Sequence, residues 1–483
     1  MEYEAIIGME VHAELCTTSK MFCGCSAAFF GQEPNTRVCP VCMGYPGVLP
    51  VINEQAIEYA VRVGLALSCE IASFSKFDRK NYTYPDLPKG YQISQYDLPL
   101  CVNGWVDVES DGVTKRIAIR RAHMEEDTAK ESHVGGASLV DFNRSGVPLL
   151  EIVTEPDIRS GEQARQFLTK LRALLRYLGV STADMEKGAM RCEPNVSVRL
   201  VGSNTLGVKT EIKNLNSFRV VKLAIDYEID RQIRVLESGG KIEQVTMGWH
   251  ERDNRTVVQR SKEYAEDYRY FPEPDLPPMQ LDPGYVDAVR SALPELPDAK
   301  HARFVSAYGL RPQDAAVLVA DAQVADYFEA SVDAARSRGV DAVTVLNWIV
   351  GELFRLINES NVRIADSKVR PDALADLLDH VRGKAINANT GRDVLAEMFR
   401  TGKAAGEIID ERGLAQIGDA GAIQALVAQA VEKNPGPLAQ YLGGKESTFG
   451  FFMGQVMRGS RGKADPQVVR RVLKTYLDGL RED

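Results

Sequence analysis

Four side chains far apart in the chain, Glu10, His12, Glu125 and Glu151, have the types needed to hold a divalent cation. Glu10 and His12 lie in Ile6-Ile7-Gly8-Met9-Glu10-Val11-His12-Ala13-Glu14-Leu15, whose alternation predicts a β-strand. Met9, Val11, Ala13 and Leu15 then face one way, and Glu10, His12 and Glu14 the other. Two carboxylates and an imidazole on one face are costly to crowd unless something positive sits among them. Glu151 interrupts the apolar run Pro148-Leu149-Leu150-Glu151-Ile152-Val153, where a carboxylate demands a partner. Glu125 belongs to His123-Met124-Glu125-Glu126-Asp127. Carboxylates suit magnesium or manganese, and the histidine tilts the choice slightly toward manganese or a mixed site. Lys80, Arg191, Lys209 and Lys213 are candidates to neutralise phosphate oxygens, a combination that fits phosphoryl transfer. A solvated, salt-bridged sheet face would use the same residues, and spacing alone leaves that alternative open.

Cys23-Gly24-Cys25 and Cys39-Pro40-Val41-Cys42 form two close cysteine pairs separated by a loop. Such pairs can supply four thiolates to one tetrahedral zinc, with unpaired reduced thiols as the alternative. A closed four-sulfur site has no open position, so it predicts structure rather than catalysis. The chain lacks the phosphate-binding loop Gly-x-x-x-x-Gly-Lys-Ser/Thr, the dinucleotide fingerprint Gly-x-Gly-x-x-Gly and the Gly-x-Ser-x-Gly elbow. Any nucleotide must therefore lie on the sheet itself.

Several elements must position these groups. Asn53 is a plausible N-cap for a helix over 53–67, and Ser110-Asp111-Gly112 predicts a hairpin turn within 105–121. A helix begins at Ser160, with Gln163 completing a capping-box pattern, and Gly179 closes it. Two strands follow. Arg191, Glu193, Asn195, Ser197 and Arg199 share one face of the first, and Lys209, Glu211 and Lys213 one face of the second. Another helix spans about 217–238. The prolines of Asp267-Tyr268-Arg269-Tyr270-Phe271-Pro272-Glu273-Pro274-Asp275 predict a linker, while Phe77 to Gln92 predicts an irregular loop suited to a site. Helical periodicity takes over from about residue 294, with stripes at Leu346, Ile349, Val350, Leu353, Ile357 and at Leu374, Leu377, Leu378, Val381.

At 483 residues the chain predicts two or three domains. A hydrophobic content of 44% with 26% charged residues is that of an ordinary globular protein. No apolar run approaches a membrane span and the N-terminus is acidic, so a reducing compartment such as the cytosol is the expected setting. A net charge of −9 argues against indiscriminate nucleic-acid binding and restricts any RNA contact to a local patch. Lys445, Arg458, Arg461, Lys463, Arg470, Arg471 and Lys474, set against only Glu446 and Asp465, form such a patch. A solvated helix face would produce a similar run.

Long motifs in order along the chain carry a family resemblance. They are Ile7-Gly8-Met9-Glu10-Val11-His12, Lys80-Asn81-Tyr82 through Gln92-Ile93-Ser94-Gln95, His123-Met124-Glu125-Glu126-Asp127, Pro148-Leu149-Leu150-Glu151-Ile152-Val153, Glu211-Ile212-Lys213-Asn214-Leu215-Asn216-Ser217 and Gly454-Gln455-Val456-Met457-Arg458. Together they resemble the GatB family, the tRNA-amidating components of the glutamyl/aspartyl-tRNA amidotransferases. The resemblance implies an α+β fold, a glutamine synthetase/guanidino kinase-like cradle with an antiparallel sheet, over 1–293. A helical domain over 294–404 and a helical, tRNA-binding tail domain over 405–483 would follow. The archaeal sister family carries an inserted domain for which Lys241 to Pro278 is too short.

The implied reaction phosphorylates, with ATP, the side-chain carboxylate of glutamate or aspartate misacylated on tRNA; ammonia then displaces the phosphate. An amidase-family glutaminase partner would supply the ammonia, and a small third chain would brace the pair. On this resemblance Glu10, His12, Glu125 and Glu151 hold magnesium or manganese; not every family member keeps the cysteines, so zinc rests on Cys23, Cys25, Cys39 and Cys42 as they stand here. Catalysis falls to Glu125, Glu10, Lys80, Tyr82, Glu211 and Lys213, and nucleotide binding to Arg191, Glu193, Asn195 and Lys209. Lys80, Tyr82 and Lys89 line the ammonia path, and Arg458, Arg461, Lys463, Arg470 and Arg471 contact tRNA. Two other readings compete: a free-standing carboxylate–amine ligase, which would not need the basic tail, and a zinc-stabilised RNA-binding scaffold without turnover.

Overall fold

The computed structural model describes residues 2–110, 112–261, 267–415, 420–460 and 463–482. It divides into two compact units, Met1–Pro297 and Asp298–Asp483.

The first unit is built on a sheet whose strands, in chain order, alternate with short accessory pieces. β1 (Tyr3–Glu14) is followed by α1 (Glu54–Ala66), β2 (Glu70–Ile71), β3 (Phe74–Ser75), β4 (Asp78–Asn81) and β5 (Tyr91–Ser94). Then come β6 (Cys101–Ser110), β7 (Val113–Glu126), β8 (Lys130–Val134), β9 (Ala137–Asp141), β10 (Pro148–Thr154) and α2 (Gly161–Tyr177). β11 (Met190–Leu200), β12 (Thr210–Lys213), α3 (Phe218–Glu237), β13 (Val245–His250), β14 (Arg255–Ser261), β15 (Phe271–Pro272), β16 (Met279–Gln280) and α4 (Pro283–Ser291) complete it. Nine strands pair in the order β14-β13-β12-β11-β1-β10-β7-β6-β2. All of these pairings are antiparallel except β12 with β13. That exception departs from the antiparallel sheet implied above, and its cause is α3, a helical crossover that returns the chain in the same direction.

The sheet has one greasy face and one polar face because β1 alternates as its sequence dictates. Met9, Val11 and Ala13 are buried in one core with Ala60 and Val61 of α1, Phe167, Leu171 and Leu175 of α2, and Val221 and Ile225 of α3. Each large side chain so buried contributes about 1.5–3 kcal/mol. Local capping agrees with the sequence: Asn53, Ser160 and Ser217 each accept a backbone N–H of the first helical turn. Gln163 departs slightly from a capping box, its side chain accepting from the Arg159 N–H rather than that of Ser160. Gly179, at φ +66°, ends α2 in a left-handed turn that a Cβ would strain.

The segment 267–275 is not a linker. Phe271 and Pro272 pair with Arg79 and Asp78 of β4, and Arg79 clasps Glu273 at 2.7 Å through two nitrogens. Proline is tolerated there because the strand has two residues and lies at the edge of a three-stranded sheet.

In the second unit, Leu346, Ile349, Leu353, Leu374, Leu377 and Leu378 are buried in one cluster that extends to Ile408 and Ile409. The helix carrying the first stripe widens into π-helical turns over Trp348–Leu353. A separate cluster gathers Ile423, Val427, Phe452, Val456, Val469, Leu473 and Leu477. Asp465 caps the terminal helix Pro466–Glu482 by accepting the Gln467 and Val468 N–H groups. Among the described residues no helix is long and apolar enough to cross a membrane.

Candidate active site

Strand register builds the polar face. β1 lies between β10 and β11, so His12 is opposite Glu151 on one side and Arg191 on the other; Glu151 is in turn opposite His123 of β7. Arg191, His12, Glu151 and His123 therefore form one row across four strands. Glu10 pairs with Glu193 on β11, two residues along. Side chains two apart on a strand share a face, so both rows open on the same side.

The single cation site expected from sequence divides in two. His12, Glu125 and Glu151 converge with ligand atoms within 4.8 Å of one another; Glu10 instead converges with Glu193 and Glu211. The reason lies in the register: two residues along β1, Glu10 meets its β11 and β12 partners, while Glu151 and Glu125 gather around the histidines.

The first cluster is dry and balanced by histidine. His123 is 2% exposed and Glu125 3%. His123 Nε2 lies 3.2 Å from Glu125 Oε1 and 3.3 Å from Glu151 Oε2, while His12 Nε2 lies 3.5 Å from Glu151 Oε2. Ser94 donates to Glu125 Oε1 at 2.7 Å and Gln92 to Oε2 at 3.1 Å. Burial works against the His123 imidazolium, but Glu151 and Glu125 outweigh it and lift its pKa to about 9. The same contest raises His12, through Glu151. Burial alone would favour protonated carboxyls, yet the two imidazoles hold Glu151 well below the usual range. Glu125 is also held down, against burial and Glu151, by His123 and Lys80.

Lys80 completes this cluster. Its Nζ lies 4.9 Å from the Tyr268 ring centroid and 5.7 Å from that of Tyr82, an aromatic setting that favours a cation. Burial opposes its charge, but Glu125 and the other nearby anions raise its pKa. Tyr82 donates to Gln92 at 3.3 Å, and Tyr270 stacks on Tyr96 with centroids 4.1 Å apart.

The second cluster is balanced by lysine and amide groups. Lys213 Nζ lies 3.0 Å from Glu193 and 3.7 Å from Glu211, Asn195 donates to Glu10 at 2.9 Å, and Thr246 donates to Glu211 at 3.0 Å. Burial and then Glu151, Glu193 and Glu211 raise the Glu10 pKa. A cavity of about 230 Å³ adjoins it, lined by Gly8, Glu10, Arg120, Asn195, Gly207 and Lys209 among others.

Of the remaining expected residues, Arg191 is spent on Asp127 at 2.7 Å, in the row of His12 rather than beside Asn195 and Lys209. Lys89 is ion-paired with Glu126 and stands against the Tyr91 ring, in the lining of a second cavity of about 240 Å³. The four cysteine sulfurs lie within 4.8 Å of one another, a donor set and spacing that fit a tetrahedral metal. The Cys42 thiol is held down to about 5, first by the neighbouring Cys23 and then, against burial, by the Cys39 N–H and Lys20. Cys16 is exposed and outside the quartet. The tail residues Arg458, Arg470 and Arg471 are exposed in the second unit, and Lys463 donates to the Gly413 carbonyl. Arg461 lies outside the described residues.

Sequence reasoning missed His123, Gln92, Ser94, Tyr268 and Tyr270. The signal for His123 was present, since it stands two residues before Glu125 on one strand and so shares its face. Nothing in the spacing pointed to the tyrosines, which reach the site from the supposed linker.

Known proteins match the chain along nearly its whole length. Residues 5–287 match the family model described as the GatB/GatE catalytic domain, and 326–477 match the GatB domain. The aspartyl/glutamyl-tRNA(Asn/Gln) amidotransferase B chain of Moorella thermoacetica is 53% identical over 481 residues, which is 99% of this chain and all of the relative. That of Caldanaerobacter subterraneus subsp. tengcongensis is 52% identical over 478 residues, with 99% and 100% covered. The class is thus a GatB/GatE-type catalytic domain followed by a GatB helical region. Within it, the chain belongs to the GatB family of aspartyl/glutamyl-tRNA(Asn/Gln) amidotransferases.

Proposed function

We propose that the chain is the ATP-dependent amidating component of a cytosolic carbon–nitrogen ligase acting on Glu-tRNA(Gln), Asp-tRNA(Asn) or both. The γ-phosphoryl group of ATP passes to the side-chain carboxylate of the misacylated amino acid, giving an acyl phosphate and ADP. Ammonia then attacks the acyl carbon, phosphate leaves and the amide remains. Glutamine is the ammonia source, hydrolysed by an amidase-family partner, while a small third chain braces the complex.

The observation that carries the reading is the pair of three-ligand clusters side by side on one sheet face. His12, Glu125 and Glu151 would hold one magnesium or manganese ion, and Glu10, Glu193 and Glu211 another. Bound there, such ions neutralise phosphate oxygens, which phosphoryl transfer requires more than covalent help from the protein. Asn195 and Lys209, at the cavity beside Glu10, orient the nucleotide, while Glu211 and Lys213 fix the acid cluster. Lys80, fixed between Tyr82 and Tyr268, presents a dry ammonium beside Glu125 and Glu151, where it offsets charge on the activated carboxylate. Tyr82 and Lys89 flank the route of ammonia. Arg191 positions Asp127 rather than the nucleotide. Cys23, Cys25, Cys39 and Cys42 hold a structural zinc, and the exposed Arg458, Arg470 and Arg471, with Lys463, face tRNA.

The test is reconstitution with the partner chains, ATP, glutamine and mischarged tRNA. Glu125→Ala should abolish amidation while glutaminase activity persists. Full amidation by this variant would refute the assignment.

A further inference from the structure

Lys20 is 1% exposed, a rare position for an ammonium unless it is paired. Its Nζ donates to the Cys42 sulfur at 3.6 Å and the Phe142 carbonyl oxygen at 3.4 Å, and neither contact is with a carboxylate. A buried charge without a counter-charge costs several kcal/mol; the Glu126 carboxylate across Gly146 is taken by Lys89, and the sulfur cluster is what the Lys20 ammonium touches. Four thiolates around a divalent zinc leave two negative charges uncompensated, and Cys42 is the buried member of the quartet.

The geometry is fixed on every side. Lys20 N–H donates to the Cys25 carbonyl at 2.9 Å, tying its backbone to the first cysteine pair. Cys42 Sγ also accepts the Cys39 N–H at 3.2 Å, so a backbone amide and an ammonium both donate to it. Gly146, at φ +83°, lies against both; a Cβ there would come within 3.5 Å of Lys20 Cδ and 3.4 Å of Cys42 Cβ.

We propose that Lys20 is the built-in counter-cation of the four-cysteine site, donating to the Cys42 sulfur and thereby setting how firmly the metal is held. The proposal rests on the zinc reading above. Groups that donate to metal ligands typically contribute about 10–100-fold to metal affinity.

The test begins with metal content. The wild-type chain should hold one zinc; failure to take up any zinc would overturn the zinc reading and this proposal with it. Lys20→Met should then lose zinc to a chromogenic chelator about 10-fold faster or more. In the cobalt-substituted protein its sulfur-to-metal charge-transfer band should move to lower energy, because an unbonded thiolate is the better electron donor. Wild-type zinc content together with unchanged release rate and band position in Lys20→Met would overturn the proposal alone. Should Lys20→Met not fold, Lys20→Gln, which keeps a donor without the charge, is read by the release assay: faster zinc loss than wild type is expected, and an unchanged rate would overturn the proposal.

Discussion

Glu10 and His12 stand two positions apart on one strand, yet the acid clusters they anchor settle their charge by different means. Around His12, two imidazoles and a caged lysine hold Glu125 and Glu151 ionised in a dry site. Around Glu10, three carboxylates meet with lysine and amide groups at the edge, and the Glu10 pKa is pushed up. The first is already balanced by cations of its own and would take a metal ion as protons leave its imidazoles; the second, whose carboxylates crowd one another, gains most from an incoming cation.

The comparison can be broken in several places. The largest effect should come from Glu151→Gln, which removes the acid shared by His12 and His123. Amidation should fall about 10³-fold, with glutaminase activity of the partner retained. Glu10→Gln should cost about 10²-fold, mostly as a raised requirement for divalent cation. Equal cation requirements in the two variants would erase the distinction between the clusters.

Smaller effects sharpen it. Neutralising Arg470 and Arg471 should raise the KM for tRNA about 10-fold at moderate salt and flatten its salt dependence. Manganese binding at either cluster should not change. Unchanged tRNA affinity would remove this helix from the RNA interface.

Glu228 touches β12, the strand that carries Glu211 of the second cluster. It is fully buried, accepts from Thr210 at the start of β12 at 2.8 Å and from Thr256 at 2.9 Å, and pairs with Arg231. Burial opposes its ionisation, but Arg231, then Gln232 and Thr210, lower its pKa. A depressed carboxylate pKa adds stability above the unfolded value of about 4.3, and that stability is lost as pH falls through the folded pKa. Glu228→Gln should therefore destabilise by about 1–3 kcal/mol at pH 7 in urea titrations, and by less at pH 4. It should also loosen manganese at the Glu10 cluster before the His12 cluster.

Much of this was legible in the sequence, and what was not has a common cause. Alternation in β1 announced which face was polar, and the apolar run around Glu151 announced a partnered carboxylate. Asn53 and Ser160 announced helix starts. All of these are local. Register is not: that Glu151 stands opposite both His12 and His123, while Glu10 stands opposite Glu193, follows from pairing across four strands. The expected single site split for that reason. Tyr268 and Tyr270 were hidden by prolines that normally mark a linker, here tolerated in a two-residue edge strand. Arg191 was read for a charge that suits phosphate, whereas across the strands it meets Asp127 at 2.7 Å, a pairing that spacing does not reveal.

The central claim is that two cation sites adjoin on one sheet face, and manganese reports on both. Titration of the chain with Mn²⁺ in the presence of a non-hydrolysable ATP analogue, followed by electron paramagnetic resonance, should reveal two ions with dipolar coupling. Glu10→Gln should lose one and Glu151→Gln the other, each leaving an uncoupled signal. A single ion removed by either substitution, or two ions without coupling, would contradict the account.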